Sequence, residues 1–207
     1  IQQEYDAIYV AIGAHTDKKL GLEGEDSKNV ISAVDMLREI GDGAYPDYTG
    51  KRVVVVGGGN VAMDCARTAM RANAETVSIV YRRRQEDMTA LPAEVEGAIA
   101  EGIELVTLKA PLRVEADAEG NACALWVQPQ IIGPVKGGRP SPRKANKPEE
   151  RMECDIVLVA IGQDIVSEPF ADFGMAVNRG RIAADKGGAA NMVGVYAGGD
   201  CVSGPRP

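Results

Sequence analysis

The sequence of 207 residues predicts an α/β fold: a Rossmann-like parallel sheet with helices on both faces, plus an antiparallel β-meander. Three observations support this class. Aliphatic runs read as strands buried on both faces, as in parallel sheets. Glycines and helical patterns follow the early runs, whereas residues 111–153 show short alternating runs that are typical of antiparallel strands. Aromatic residues make up only 4% of the chain, so the core must be mainly aliphatic.

The N-terminal part predicts one strand and one helix. Residues 5–13, YDAIYVAIG, are an apolar run that a glycine ends, and a polar, turn-rich linker follows. Residues 27–41 predict a helix, because apolar residues recur at helical spacing and Gly41 is suited to end it. Residues 41–50 predict a loop.

The central segment is KRVVVVGGGNVAMD at 51–64, in which a valine run leads through three glycines into a helical pattern. Gly57, Gly59 and Ala62 have the spacing G-x-G-x-x-A of dinucleotide-binding units. In such units the first glycine allows a tight turn, the second lets a pyrophosphate approach, and the third small residue lets the helix pack closely. A glycine turn of another α/β protein is the alternative, which the flanking strand and helix disfavour.

The predicted pyrophosphate site is the N-terminus of this helix, where free N–H groups and the positive end of the helix dipole meet. We expect Gly57, Gly59, Asn60 and Val61 to line it. Asn60 is also a candidate N-cap of the helix, since asparagine is among the preferred caps, and the two roles are compatible.

The second strand, at 75–81, leads into Arg82, Arg83 and Arg84. An acid at this position binds the ribose 2′-hydroxyl of NAD, whereas an arginine pairs with the 2′-phosphate of NADP. Guanidinium groups can bind a phosphate through two parallel hydrogen bonds. The sequence therefore predicts NADP(H), with Arg82 and Arg83 at the 2′-phosphate. For any one of these arginines the alternative is a solvated loop position.

The next segment predicts a helix, a third strand and the meander. Pro92 begins the helix, Gly102 ends it, and residues 103–108 form the strand. Within the meander, GPVKGGRPSPRKANKPEE at 133–150 predicts a long exposed hairpin loop. This loop is basic, but it has no interleaved aromatic residues for base stacking, which disfavours nucleic-acid binding.

The last two elements are strand–glycine segments. Residues 155–162, DIVLVAIG, predict a buried strand whose end repeats the YVAIG at 9–13, so one such element lies on each side of the dinucleotide unit. Residues 194–205, GVYAGGDCVSGP, predict a short strand and a turn. Asp200 is a possible N-cap there, but we expect no helix after it in this chain.

Composition excludes several function classes. The net charge of −7 argues against nucleic acid or an anionic membrane as the main partner. Cys65, Cys123, Cys154 and Cys201 form no C-x-x-C pair, and His15 is the single histidine, so no metal or iron–sulfur ligand set is predicted. We expect reduced thiols and a cytoplasmic protein without a membrane span. No side chain is predicted as a catalytic acid or base.

Together the motifs resemble the glutamate synthase small-subunit family of NADPH-dependent FAD oxidoreductases, which are glutathione-reductase-like flavoproteins with two dinucleotide domains. GGGNVAMDCAR at 57–67 is similar to the family's NADPH turn, and VYRRR at 80–84 to its 2′-phosphate site. AIGA at 11–14 and AIGQD at 160–164 resemble the crossovers between the FAD and NADPH domains, and YAGGD at 196–200 resembles the strand that contacts the flavin.

This resemblance implies three segments. Residues 1–45 would be the end of an FAD-domain segment and a linker helix, 46–163 the NADP(H)-binding domain with the meander at 111–154, and 164–207 a truncated return into the FAD domain. The family's separate FAD glycine motif has no match here. We therefore expect a domain fragment that binds NADP(H) but neither holds FAD firmly nor turns over alone.

The resemblance also implies a reaction and further site residues. Hydride would pass from NADPH to FAD, and electrons onward to an iron–sulfur or glutamate synthase large-subunit-like partner. Gly162 and Gln163 would lie near the nicotinamide, and Gly199 and Asp200 would serve FAD in the complete protein. For the two glycines, turn geometry alone is the alternative. The competing class of function is a non-catalytic NADP(H)-sensing module.

Overall fold

The computed structural model describes residues 4–136 and 138–205. The chain divides into two compact units, which we call the large unit and the small unit. The large unit is Asp17–Gly162, and the small unit combines Ile1–Thr16 with Gln163–Pro207. Residues 17–45 therefore belong to the large unit.

The described residues form fifteen strands, five α-helices and one 3₁₀ turn, Gln85–Asp87. The strands are β1 (Ile8–Val10), β2 (Thr16–Asp17), β3 (Val30–Ser32), β4 (Arg52–Gly57), β5 (Thr76–Tyr81), β6 (Glu104–Thr107), β7 (Lys109–Ala116), β8 (Ala122–Lys136), β9 (Arg139–Lys144), β10 (Glu150–Glu153), β11 (Ile156–Ala160), β12 (Gln163–Asp164), β13 (Val177–Asn178), β14 (Arg181–Ile182) and β15 (Val195–Ala197). The helices are α1 (Ala33–Gly41), α2 (Asn60–Arg71), α3 (Pro92–Ala100), α4 (Glu168–Asp172) and α5 (Asp200–Ser203).

The large unit contains a parallel sheet of five strands in the order β3-β11-β4-β5-β6. Its centre is buried on both faces because β4 and β11 consist almost wholly of aliphatic residues, with Val55 opposite Leu158 in register. The predicted α/β class is therefore confirmed.

The two faces of this sheet are covered by different kinds of layer. Val53 and Val55 point into a core shared with helices α1, α2 and α3. Val54 and Val56 point to the other face and pack with Leu125 and other residues of the meander. Helices had been expected on both faces, but in the large unit the meander takes the place of one helical layer, because its own apolar face covers these valines.

The predicted helix over 27–41 is only partly correct. Its first residues form the edge strand β3, which pairs with β11, and α1 begins at Ala33. Ser32 caps α1, since its hydroxyl accepts a hydrogen bond from the N–H of Asp35 at 3.3 Å. The β-branched pair Val30 and Ile31 satisfies the open edge of β11, and this tertiary pairing overrides the helical spacing.

The predicted exposed loop at 133–150 is mostly a β-hairpin, which is a correction of that prediction. Strand β8 continues to Lys136 and pairs with β9, whose prolines Pro140 and Pro142 lie opposite β8 residues. Two prolines are tolerated because β9 is an edge strand, which among the described strands pairs with β8 alone. Residue 137, which also belonged to the predicted loop, lies outside the described residues.

The small unit contains a parallel pair, β1 with β15, and a β13–β14 hairpin. Its core includes Val10, Ile182, Val195 and Cys201. The expectation that no helix follows Asp200 is wrong: the short helix α5 begins there and buries Cys201. Its N-cap is Gly199, not Asp200.

All four cysteines have free thiols in the structure, and three of them are buried. Burial raises the pKa of the Cys65 and Cys154 thiols to about 12. No group of His, Cys, Asp or Glu within the described ranges is arranged to hold a metal ion. Of the helices that the structure describes, none is both long enough and apolar enough to cross a bilayer.

Candidate functional site

The candidate site lies at the carboxyl end of β4. The chain passes from β4 through α2 to β5 on one side, whereas the neighbour on the other side, β11, comes only after the meander. The strand order thus reverses at β4, and open α/β sheets bind ligands at such a switch point. Gly57 ends β4 here, opposite Ala160 at the end of β11.

The first two glycines of the turn are required by packing inside the protein. A Cβ at Gly57 would overlap the carbonyl oxygen of Ala160 and lie 3.1 Å from the Cβ of Ala62. A Cβ at Gly58 would lie within 3.0 Å of three ring atoms of Tyr81. These two positions therefore exclude side chains whether or not a ligand binds.

The third glycine has no such internal reason. Gly59 has φ −104°, which any residue can adopt, and a Cβ there would meet only Thr89 Oγ1 at 3.5 Å, an ordinary contact. A small residue at this position leaves space in front of the helix, as a pyrophosphate needs.

The helix behind this space presents unpaired donors. Gly59 is the N-cap of α2, and within the described part of the chain no side chain caps its first turn. The N–H groups of Asn60 and Val61 lie in that turn, where an α-helix offers them no backbone acceptor. Such a helix start attracts an anion, so the residues present fit the pyrophosphate of a dinucleotide.

The side chain of Asn60 joins the two helix starts at the site. Asn60 is the first residue of α2 rather than its cap, which corrects the alternative N-cap role. Its Oδ1 accepts a hydrogen bond from the N–H of Leu91 at 2.8 Å, and Leu91 is the N-cap of α3. This bond orients the amide and leaves Nδ2 as a donor.

The predicted 2′-phosphate residues follow β5 and differ in their contacts. The side chain of Arg82 is exposed and makes no hydrogen bond or ion pair with the residues that the structure describes. Arg83 is half-buried, and its Nε donates to the carbonyl oxygen of Pro140 at 2.7 Å. The fork of Arg82 is therefore open to a ligand, whereas Arg83 is held by the hairpin through one nitrogen.

The third arginine is neutralised within its own loop. Arg84 forms ion pairs with Glu86 at 3.0 Å and Asp87 at 2.9 Å. The hydrogen bond from Arg84 is the main reason that the pKa of Asp87 lies below its ordinary value. Arg84 is thus held within its own loop by two carboxylates.

Tyr81 and Arg139 are two residues of the site that sequence reasoning missed. Tyr81 Oη donates to the carbonyl oxygen of Asp87 at 2.8 Å, and Nη2 of Arg139 donates to Tyr81 Oη at 2.7 Å. Tyr81 is the last residue of β5 and lies beside the glycine turn. Its position at the end of this strand is a sequence signal that could have identified it. Arg139 lies 58 residues further along, in the segment that we had predicted as a loop, so its pattern gave no signal.

The remaining predicted site residues lie in separate units. Gly162, in the large unit, follows β11, has φ +121° and accepts a hydrogen bond from the N–H of Lys18 at 3.2 Å. Gln163 is half-buried in β12 of the small unit. Gly199, with φ +75°, and Asp200 form the start of α5.

Known proteins resemble this chain along its whole length. Residues 1–207 match the family model described as pyridine nucleotide-disulphide oxidoreductase. The chain is 40% identical over 211 residues to the NADP(+)-dependent formate dehydrogenase subunit beta of Moorella thermoacetica, covering 100% of this chain and 30% of that protein. It is 32% identical over 218 residues to the glutamate synthase [NADPH] small chain of Escherichia coli K12, covering 97% of this chain and 46% of that one.

A solved structure, Mycobacterium tuberculosis FprA in complex with NADPH, shares the fold with a TM-score of 0.80 at 21% identity. The match covers 100% of this chain and 60% of that one. The chain spans less than half the length of the two curated relatives.

Proposed function

The chain belongs to the pyridine nucleotide-disulphide oxidoreductase family, and from this premise we propose that it is the NADP(H)-binding domain of a flavoprotein oxidoreductase. The family is one of redox enzymes, and the resemblance to glutamate synthase small subunits is confirmed by the relatives. The observation that supports the proposal most is the uncapped start of α2 behind Gly59, which lies beside the loop that carries Arg82 and Arg83.

In this proposal the pyrophosphate of the dinucleotide binds at Gly57, Gly59, Asn60 and Val61, through backbone N–H groups and Nδ2 of Asn60. The open fork of Arg82 binds the 2′-phosphate, and the terminal nitrogens of Arg83 add to it. An arginine pair suits this role because guanidinium is planar, always charged and matched to phosphate geometry.

The proposal gives this chain a binding and orienting role. When bound, NADPH supplies a hydride, and the protein positions the nucleotide for that chemistry. Gly162 and Gln163 are proposed to lie near the nicotinamide half, and Gly199 and Asp200 to bind FAD in the full-length protein. We propose no acid or base among the side chains.

The domain roles follow the same assignment. Residues 46–163 are proposed as the NADP(H)-binding domain, with residues 1–45 and 164–207 as flanking parts of an FAD domain. The partners proposed are the remainder of that FAD domain and an iron–sulfur or glutamate synthase large-subunit-like protein. The relatives include a formate dehydrogenase subunit and a glutamate synthase chain, so their names point to different reactions. We also propose a cytoplasmic location, on the cysteine pattern given above.

A nucleotide titration tests the proposal. The unmutated chain should bind NADPH at least about tenfold more tightly than NADH, the scale of one hydrogen bond to a charged group. Arg82→Glu combined with Arg83→Glu should abolish this preference, because the new carboxylates repel the 2′-phosphate. A matched control, Arg143→Glu with Lys144→Glu, makes the same charge change on exposed side chains of β9. Equal affinity of the unmutated chain for both nucleotides would contradict the proposal.

A further inference from the structure

The hairpin formed by β8 and β9 contacts the loop at 82–91, and the proposed function gives this hairpin no role. Arg139, the first residue of β9, donates from Nη2 to Tyr81 Oη at 2.7 Å and to the carbonyl oxygen of Asp87 at 2.6 Å. Tyr81 Oη in turn donates to the same carbonyl at 2.8 Å. These three groups form a closed triangle of hydrogen bonds. The triangle joins Arg139 of the hairpin to Tyr81, just before the loop, and to Asp87 within the loop.

This triangle also bears on the glycine turn. The ring of Tyr81 lies against Gly58, and the N–H groups of Thr89 and Ala90 donate to the carbonyl oxygen of Gly58 at 2.9 and 3.1 Å. The loop is thus attached to the glycine turn through Thr89 and Ala90, and to the hairpin through Asp87. A displacement of Arg139 would therefore reach both parts of the proposed nucleotide site.

Arg83 is fixed at two further points, one in the hairpin and one just before β7. Its Nε donates to the carbonyl oxygen of Pro140, and its own carbonyl oxygen accepts a hydrogen bond from the N–H of Leu108 at 3.0 Å. Leu108 has φ +57°, an uncommon conformation for a leucine, at the junction of β6 and β7. The hairpin therefore holds the side chain of Arg83, and Leu108 holds its backbone.

We propose that the β8–β9 hairpin holds the 82–91 loop in the geometry that binds the 2′-phosphate, and that Arg139 is the positioning residue through which it does so. The proposal rests on the proposed NADP(H) function. An unrestrained loop must lose conformational freedom when it binds a ligand, whereas a loop ordered in advance binds with less loss. NADH lacks the 2′-phosphate, so the hairpin contributes to the choice between the two nucleotides.

The test compares four variants of the chain by titration with NADPH and NADH. Arg139→Gln should raise the Kd for NADPH about tenfold, the scale of a lost hydrogen bond to a charged group, and change the Kd for NADH far less. Tyr81→Phe keeps the ring against Gly58 and changes no charge, and it should shift the ratio in the same direction. Arg139→Lys should restore part of the preference, since one nitrogen of Arg139 makes both bonds. Arg143→Gln, on the same strand, should bind as the unmutated chain does.

Hydrogen exchange of the nucleotide-free chain gives a readout independent of binding. The amides of Thr89, Ala90 and Leu108, which donate into this network, should exchange faster in Arg139→Gln and Tyr81→Phe and be unchanged in Arg143→Gln. The double variant Arg139→Gln with Tyr81→Phe should be little worse than either single variant, because both break the same triangle.

The outcomes separate the two proposals. If the unmutated chain binds neither nucleotide, the proposed function fails and this inference fails with it. If the unmutated chain prefers NADPH while Tyr81→Phe and Arg139→Gln keep its affinities and its exchange rates, only the inference fails. An effect of Arg139→Gln that disappears at high salt, with no effect of Tyr81→Phe, would show a charge effect instead and would also overturn it.

Discussion

At the scale of single residues, we expect a substitution of Gly57 to affect folding and a substitution of Gly59 to affect nucleotide binding. Gly57→Ala should lower the free energy of unfolding by about 2 kcal/mol or more, because the new Cβ meets a backbone carbonyl that cannot move aside. Gly59→Ala should cost less than about 1 kcal/mol, the scale of a changed N-cap, yet weaken NADPH binding at least tenfold by filling the space for the pyrophosphate. Chemical denaturation and an NADPH titration measure the two effects. A destabilised Gly59→Ala, or one that binds normally, would contradict this account.

Glu115 in the meander has a carboxylate that two neighbouring side chains stabilise by hydrogen bonds. Its oxygens accept hydrogen bonds from the guanidinium of Arg151 and from Trp126 Nε1, the latter at 2.6 Å. These bonds lower the pKa of Glu115 from 4.5 to about 2, and the bond from Arg151 has the largest effect. The guanidinium of Arg113 lies 4.3 Å from the centre of the Trp126 ring, so cation and ring support the same cluster.

The pH dependence of stability follows from this pKa. Because the pKa of Glu115 is lower in the folded chain than in the unfolded one, its contribution is full above about pH 4.5 and is lost as the pH falls toward 2. Glu115→Gln should lower the Tm at pH 7, and its difference from the unmutated chain should shrink between about pH 5 and pH 2. The control is the exposed Glu119, whose carboxylate has no hydrogen bond or ion pair in the described ranges: Glu119→Gln should leave the Tm at pH 7 unchanged. A constant difference for Glu115→Gln would refute the assignment.

At the scale of elements, Asn60 connects the starts of α2 and α3. Asn60→Asp keeps the oxygen that accepts from the N–H of Leu91, and an acid is favourable at a helix N-terminus. We therefore expect the free energy of unfolding to stay within about 1 kcal/mol of the original. NADPH binding should nevertheless fall at least tenfold, since the carboxylate repels the pyrophosphate.

Asn60→Ala is the matched comparison for that substitution. It removes the bond to Leu91 as well as the donor Nδ2, so it should lose about 1 kcal/mol of stability and bind NADPH less tightly. Denaturation and nucleotide titration of the two variants separate the structural bond from the ligand contact. If Asn60→Asp binds NADPH as tightly as the unmutated chain, Asn60 does not lie at the pyrophosphate.

The elements that sequence could predict are those whose determinants are local. The valine run, the glycine turn, α2 and the arginines after β5 follow one another between 52 and 84, so their relation is visible in the pattern. The spacing of apolar residues predicts a helix where strand β3 lies. The strand forms instead because it pairs with β11, whose residues are far along the chain. The position of Arg139 depends in the same way on the β8–β9 register, which prolines at an edge strand conceal.

At the scale of the whole molecule, the meander acts as the second layer of the parallel sheet. Its apolar residues cover the face opposite the helices, and Arg52 of β4 joins the sheet to Asp155 at 3.0 Å just before β11. The unbroken valine run of β4 predicts that both faces of the strand are buried, but it cannot show whether a helix or a sheet covers each face. The same layer carries the hairpin that reaches the 82–91 loop.

NADP(H), rather than FAD, is the cofactor that we expect the chain to hold by itself. The sequence has the dinucleotide spacing G-x-G-x-x-A at 57–62, and the proposal assigns that turn to NADP(H), so we expect the chain by itself not to hold FAD firmly. NADPH at 100 times its Kd should stabilise the fold by about 2.7 kcal/mol, a rise in Tm of roughly 5–10 °C, whereas FAD should produce no comparable rise. Hydrogen exchange should show NADPH protection within 52–91, and Gly59→Ala should remove it. A chain that purifies yellow with stoichiometric FAD, or that FAD stabilises as much as NADPH does, would show that the small unit or the glycine turn holds flavin instead.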